Sequence, residues 1–143
     1  IPDEALMTAL TNAALSGVTV EIFVSEQLDQ FLVGHAQRSY YGPLLKAGVR
    51  IHLYRKPRML HSKYMVVDGS LCIIGSSNMD VRSFGLNYEI VLVADSSRLV
   101  EMLHGNDERT RQQSRELTYE EWRGQPWHVH YVDNVCRLGS SLL

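Results

Sequence analysis

The sequence predicts an α/β fold, a mixed β-sheet flanked by helices on both faces, in one domain over residues 1–143. Three observations carry this reading. Helical and strand-like segments alternate through the first half of the chain, and strand-like runs then follow one another directly. That order suits a sheet with both parallel and antiparallel neighbours. Two of the runs are joined by Asp68-Gly69-Ser70, a hairpin signal. Finally, 143 residues with 45% hydrophobic and 21% charged side chains are enough for one core and exclude a disordered, collagen-like or coiled-coil chain.

The elements follow in order. Pro2, Asp3 and Glu4 open a helix, with proline in the first turn and acids at the positive end of the dipole. Leu6, Leu10, Ala13 and Ala14 continue it at helical spacing, and Gly17 is a stop. Residues 18–24 alternate and are β-branched, so they read as a strand. Residues 30–47 read as helical but contain Gly42-Pro43, which predicts a kink or two short helices ending at Gly48. Val49, Ile51 and Leu53 alternate with Arg50, His52 and Tyr54 as a second strand. Residues 63–67, 71–75 and 88–94 are three further strands. Ser96 or Ser97 caps a helix carrying Leu99, Val100, Met102 and Leu103. The tail predicts a short Glu-Glu-Trp helix and a last helix over about 129–138.

No apolar run approaches the roughly 18 residues of a transmembrane helix, and no signal peptide is visible. Cys72 and Cys136 do not form a disulfide framework; Cys72, inside Leu71-Cys72-Ile73-Ile74, reads as a buried thiol. His128-x-His130 with Cys136 fits no standard metal spacing, so no metal is expected. Trp122 and Trp127 read as core packing, with interfacial anchoring as the other option. Because the chain opens at Ile1, it is expected to be a fragment or a processed product.

Charge is unevenly distributed. The formal net charge is −2, yet no acid lies between Asp29 and Asp68. That stretch holds Arg38, Lys46, Arg50, Arg55, Lys56, Arg58 and Lys63, a local balance of +7. It is either a field for an anionic partner or a solvated basic face.

The chemistry lies in His61-x-Lys63-x4-Asp68 followed by Gly75-Ser76-x-Asn78. The first three residues alone recur by accident in roughly one chain in a hundred of this length. Strand alternation puts His61 and Lys63 on one face, and Ser76 and Asn78 on one face just beyond the paired strand. Asn87 and Glu89 repeat the two-residue spacing before the next strand. Such a set suits a phosphate ester. Imidazole attacks phosphorus or shuttles a proton near neutral pH, while Lys63 and Asn78 stabilise charge on the phosphoryl oxygens without a metal. Glu89 is expected to accept a hydrogen bond from the His61 ring and fix its tautomer. Asp68 has the opposite strand parity and reads as a turn and ion-pair residue. Asp80 and Arg82 read as phosphate contacts or as partners of one another.

These residues resemble the HKD motif of the phospholipase D superfamily, H-x-K-x4-D-x6-G-S-x-N, without departure. Residues 78–84 and Leu86-Asn87-Tyr88-Glu89 resemble the second such motif of bacterial cardiolipin synthases. Arg38-Ser39-Tyr40-Tyr41, Leu45-Lys46-Ala47-Gly48-Val49 and the closing residues 137–143 are similar to the same C-terminal half. The resemblance implies a phospholipase D-like half-domain whose active site is completed by a second motif, in the same full-length chain or in a homodimer. It implies a phosphohistidine intermediate and no cofactor. Phosphatidylglycerol would be donor and acceptor, and glycerol would leave. His61 would be the general acid/base, Lys63, Ser76 and Asn78 would bind phosphate, and Glu89 would orient His61. Asp68 would support the motif. The implied partners are the phospholipid, the second half-domain and a membrane surface, the bacterial inner membrane for the full-length protein, rather than nucleic acid. The rival readings are a phospholipase D or nuclease that hydrolyses its phosphodiester, and a non-catalytic module that binds lipid headgroups.

Overall fold

The computed structural model describes residues 1–27 and 30–139. The last part of the cardiolipin synthase resemblance, residues 140–143, lies outside them.

Helix α1 (Glu4–Leu15) starts two residues later than the proline suggests. Asp3 is the N-cap, its Oδ1 accepting from the Leu6 N–H at 2.7 Å, and Pro2 precedes the helix. Gly17, at φ 91°, reverses the chain. Val18 still donates to the Ala13 carbonyl in the helix's closing turn, so β1 (Glu21–Ser25) begins later than residue 18. The segment interrupted by Gly42-Pro43 forms two helices, α2 (Phe31–Arg38) and α3 (Tyr41–Ala47). Pro43 falls in the first turn of α3, where its missing N–H has no helical partner to lose. Gly48, left-handed at φ 96°, closes α3.

Strand β2 (Arg50–Tyr54) carries the centre of the core, with Ile51 fully buried. Tyr40, Tyr41, Leu44, Val49, Leu53 and Leu117 pack around it. Strands β3 (Tyr64–Val67) and β4 (Leu71–Gly75) make the expected hairpin, with Val67 opposite Leu71. A one-turn helix, α4 (Val81–Gly85), precedes β5 (Val91–Asp95). Ser96 caps α5 (Ser97–Gln112) through the Leu99 N–H. Strand β6 (Ser114–Leu117), α6 (Tyr119–Arg123) and α7 (Trp127–Leu138) follow.

The strands fall into two three-stranded sheets. One is mixed: β2 runs parallel to β1 and antiparallel to β6. The other is the antiparallel series β3-β4-β5. Helix α5 packs against both, touching β4 of one and β2 and β6 of the other. Tyr64 strengthens that junction by donating to Asp107 of α5 at 2.5 Å and accepting from Asn106 at 2.8 Å.

The two tryptophans part company. Trp122 packs against the core cluster and fills the space above Gly42. Trp127, expected in the core, is 78% exposed. Helix α7 instead buries its opposite face, where Asp133 meets His35 and Arg38 of α2. No helix among the described residues is long and apolar enough to cross a membrane.

Candidate active site

The motif residues gather at the open end of the β3-β4 hairpin. Lys63 immediately precedes β3, and its carbonyl accepts the Gly75 N–H at 3.1 Å, so Lys63 stands across from Gly75-Ser76. The Lys63 Nζ folds back to donate to the His61 carbonyl at 3.0 Å. On the other side of His61, the Leu60 N–H donates to the buried Ser25 hydroxyl at 2.8 Å, at the end of β1. His61 is therefore held between the two sheets, one tie to each, with its side chain exposed.

Beyond β4 the chain stays close to β5. The Ser76 N–H donates to the Ile90 carbonyl at 3.0 Å, and the Ile90 N–H donates to the Ser76 hydroxyl at 3.1 Å. That hydroxyl in turn donates to Glu89. Gly75 permits the approach: a Cβ there would lie 2.2 Å from the Ile90 carbonyl oxygen. The second Glu89 oxygen accepts from Ser83 at 3.1 Å. The Ser83 hydroxyl accepts the Asn78 N–H at 3.1 Å, and its own N–H is capped by Asp80 at 2.7 Å. Ser76, Glu89, Ser83 and Asn78 thus form one continuous chain of hydrogen bonds. The Ser76 hydroxyl, with Ser83 and Asn87, holds the Glu89 carboxyl below its ordinary range against the opposing effects of desolvation and Asp80.

The predicted site residues do not all lie together. His61, Lys63, Ser76 and Asn78 share the open hairpin end. Asp68 does not join them: it sits in the turn at the closed end, left-handed at φ 52°. Five residues along a largely extended chain place it roughly 16 Å from Lys63. Glu89, the residue predicted to orient the imidazole, accepts hydrogen bonds from Ser76 and Ser83. The cause is the crossing from β4 to β5, which sets Ser76 against Ile90, one residue from Glu89. Asp80 caps α4 through the Ser83 N–H. Ser83, buried at the centre of this network, escaped the sequence reading. The Asp80-x-x-Ser83 spacing of an N-cap was its one visible signal.

A cleft of about 250 Å³ lies next to this end, lined by Ser25, Glu26, Phe31, His35, Arg38 and Arg115 among others. Its charges are internally paired. Arg115 donates to Glu26 at 2.8 Å, and His35 and Arg38 meet Asp133 at 2.6 and 3.2 Å. The basic stretch is divided in the same way: Arg38 and Arg50 have acidic partners, whereas Arg55, Lys56 and Arg58 lie exposed in the segment leading to His61. Among the described residues no three His, Cys, Asp or Glu side chains converge as a metal-ligand set.

This architecture, two small sheets joined by α5 with the β3-β4 hairpin in the antiparallel one, is that of a phospholipase D-like fold. Among solved structures, a phospholipase D family member, Nuc from Salmonella typhimurium, superposes with a TM-score of 0.70 at 22% identity, covering 82% of this chain and 76% of that one. The phosphatidylserine synthase of Haemophilus influenzae superposes with a TM-score of 0.71 at 18% identity, covering 99% of this chain and 39% of that one.

Sequence comparison narrows the class. The family described as cardiolipin synthase, PLD-like domain, matches residues 1–109, and the chain belongs to it. The cardiolipin synthase of Halalkalibacterium halodurans is 39% identical over 143 residues, the whole of this chain and 28% of that protein. Cardiolipin synthase A of Proteus mirabilis is 35% identical over the same length, covering 29% of that protein. The chain thus spans under a third of the length of the curated relatives it matches.

Proposed function

We propose that this chain supplies one catalytic half of a phosphatidyl transferase that makes cardiolipin from two phosphatidylglycerol molecules. The observation that carries the reading is the placement of His61, Lys63, Ser76 and Asn78 in the segments at the open end of one hairpin. Its relatives' names point to the same reaction, and the shortness of the chain beside them fits a site completed by a second motif.

In this scheme the imidazole of the second motif attacks phosphorus, forming an N–P bond as the P–O bond to glycerol breaks. His61, as imidazolium, gives its proton to the departing glycerol oxygen. The neutral ring then takes the proton of the incoming phosphatidylglycerol hydroxyl as that oxygen displaces the phosphohistidine, so the His61 proton count is restored. Lys63 and the Asn78 amide offset the charge that develops on the phosphoryl oxygens. Glu89 acts through the serines: it fixes the Ser76 hydroxyl, and through Ser83 it fixes the loop that carries Asn78.

The test offers phosphatidylglycerol and, separately, nucleic acid to a two-motif protein containing this segment. Release of glycerol together with cardiolipin supports the proposal. Phosphatidic acid as the sole lipid product, or cleaved nucleic acid, overturns it in favour of a hydrolase. Phosphate-ester binding without any turnover overturns it in favour of a binding module.

A further inference from the structure

One edge of the mixed sheet gathers features that the chemistry does not use. Strands β1 and β2 are parallel, with Ser25 in register with Tyr54, so their C-terminal ends lie side by side. Three segments meet at this edge. Beyond β1, helix α2 begins with Phe31 and Leu32, which are 69% and 53% exposed. Beyond β2, the chain runs through Arg55, Lys56, Arg58 and Met59 to His61, with the three cations exposed and Met59 49% exposed. Gln125 reaches the same edge, since it lines one cleft with Ser25, Glu26 and Phe31, and α7 then starts at the exposed Trp127. Glu26, the acid that faces Lys56, is already held by Arg115. Arg58 leans on the neutral Gln113 at 3.2 Å.

Aromatic and apolar side chains beside exposed cations suit the boundary of an anionic bilayer, where the rings enter the headgroup region and the cations meet phosphate. A second exposed apolar surface, among several in the described residues, is different. Strand β5 presents Val91, Leu92 and Val93 with no lysine or arginine between Val91 and Asp95, the composition of a protein–protein face.

We propose that the Arg55–Met59 segment, with Phe31, Leu32 and Trp127, docks this edge of the sheet on an anionic phospholipid bilayer and brings His61 to the headgroup level. The inference deepens the phosphatidyl-transfer reading and rests on it for its purpose. Its test reads binding alone, so failure here leaves the His61 chemistry untouched, and an inert active site leaves the docking untouched.

The 143-residue chain is sedimented with vesicles of phosphatidylglycerol and phosphatidylcholine, and with phosphatidylcholine alone, while tryptophan emission is followed. The expected result is binding to the anionic vesicles, weakened by salt, with a blue shift that Trp127→Phe removes. At about a factor of five per cation, the variant Arg55→Ser/Lys56→Ser/Arg58→Ser binds roughly a hundredfold more weakly. All substituted side chains are exposed, and an unchanged circular dichroism spectrum verifies the fold. Equal binding to both vesicle types, or undiminished binding by the triple variant, overturns the proposal. So does a lipid-independent blue shift that grows with protein concentration, which assigns the edge to a second copy.

Discussion

Adding one methyl group at Gly75 tests the construction of the site more sharply than removing any catalytic group. A Cβ there would lie 2.2 Å from the Ile90 carbonyl oxygen and 2.8 Å from the Val91 Cα, both backbone atoms with no rotamer to escape into. Ordinary contact requires about 3.4 Å, so β4 and β5 must separate by roughly 1 Å at this point. Overpacking of this kind costs about 1–3 kcal/mol. The two hydrogen bonds that join Ser76 to Ile90 are strained as well, at about 1 kcal/mol each if lost. Against this stands the gain of about 0.5–1 kcal/mol from replacing a strand glycine by alanine. With both bonds lost, Gly75→Ala is therefore expected to destabilise by about 2–4.5 kcal/mol in urea unfolding. Gly69, in the hairpin turn, is the control: a Cβ there would meet no atom within 4 Å, and Gly69→Ala is expected to stay within about 0.5 kcal/mol. A Gly75→Ala protein as stable as the Gly69→Ala one would refute the steric account of the motif glycine.

Three further outcomes are expected. Tyr64→Phe removes the tie between β3 and α5 and lowers stability by about 1–2 kcal/mol in the same assay. Burial, reinforced by Asp107, pushes the Tyr64 hydroxyl up to about 12. Because the folded state then holds that proton more tightly than the unfolded chain, its contribution is present below pH 10 and fades as the pH climbs towards 12. For Glu21, burial alone would raise the carboxyl, but Arg111, His52 and Arg50 together bring it below its ordinary 4.5. Its contribution is thus present above 4.5 and lost as the pH falls through the lower folded value, so the stability gap between wild type and Glu21→Gln narrows on acidification. Gly42→Ala places a Cβ 2.4 Å from the Trp122 ring, and displacing that ring is expected to cost about 1–3 kcal/mol and to shift Trp122 emission.

What the sequence made legible was local. The His61, Lys63, Ser76 and Asn78 offsets could be read because the two strands of a hairpin place residues by counting alone. The Asp68-Gly69-Ser70 turn and the Ser96 cap were legible for the same reason. What escaped depends on partners distant in the chain. Ser-Arg-Glu-Leu at β6 has one apolar residue and no alternation; it is a strand because Leu117 lies against Ile51 and because Arg115 and Glu116 find Glu26 and Arg50. The periodicity of α7 separates two faces without saying which is buried, and Asp133 decides it by meeting His35 and Arg38. Glu89 shows the same limit. Its two-residue spacing from Asn87 marked it as a site residue, but the crossing of β4 to β5 gave it to Ser76 and Ser83.

The central claim is that His61 moves protons in an exchange of phosphodiester partners, and glycerol release from phosphatidylglycerol measures this most directly. In a two-motif protein containing this segment, His61→Ala is predicted to lower the rate by at least roughly a hundredfold, the low end for loss of a general acid/base, with an unchanged melting temperature. Glycerol released within a few-fold of the wild-type rate would contradict the account.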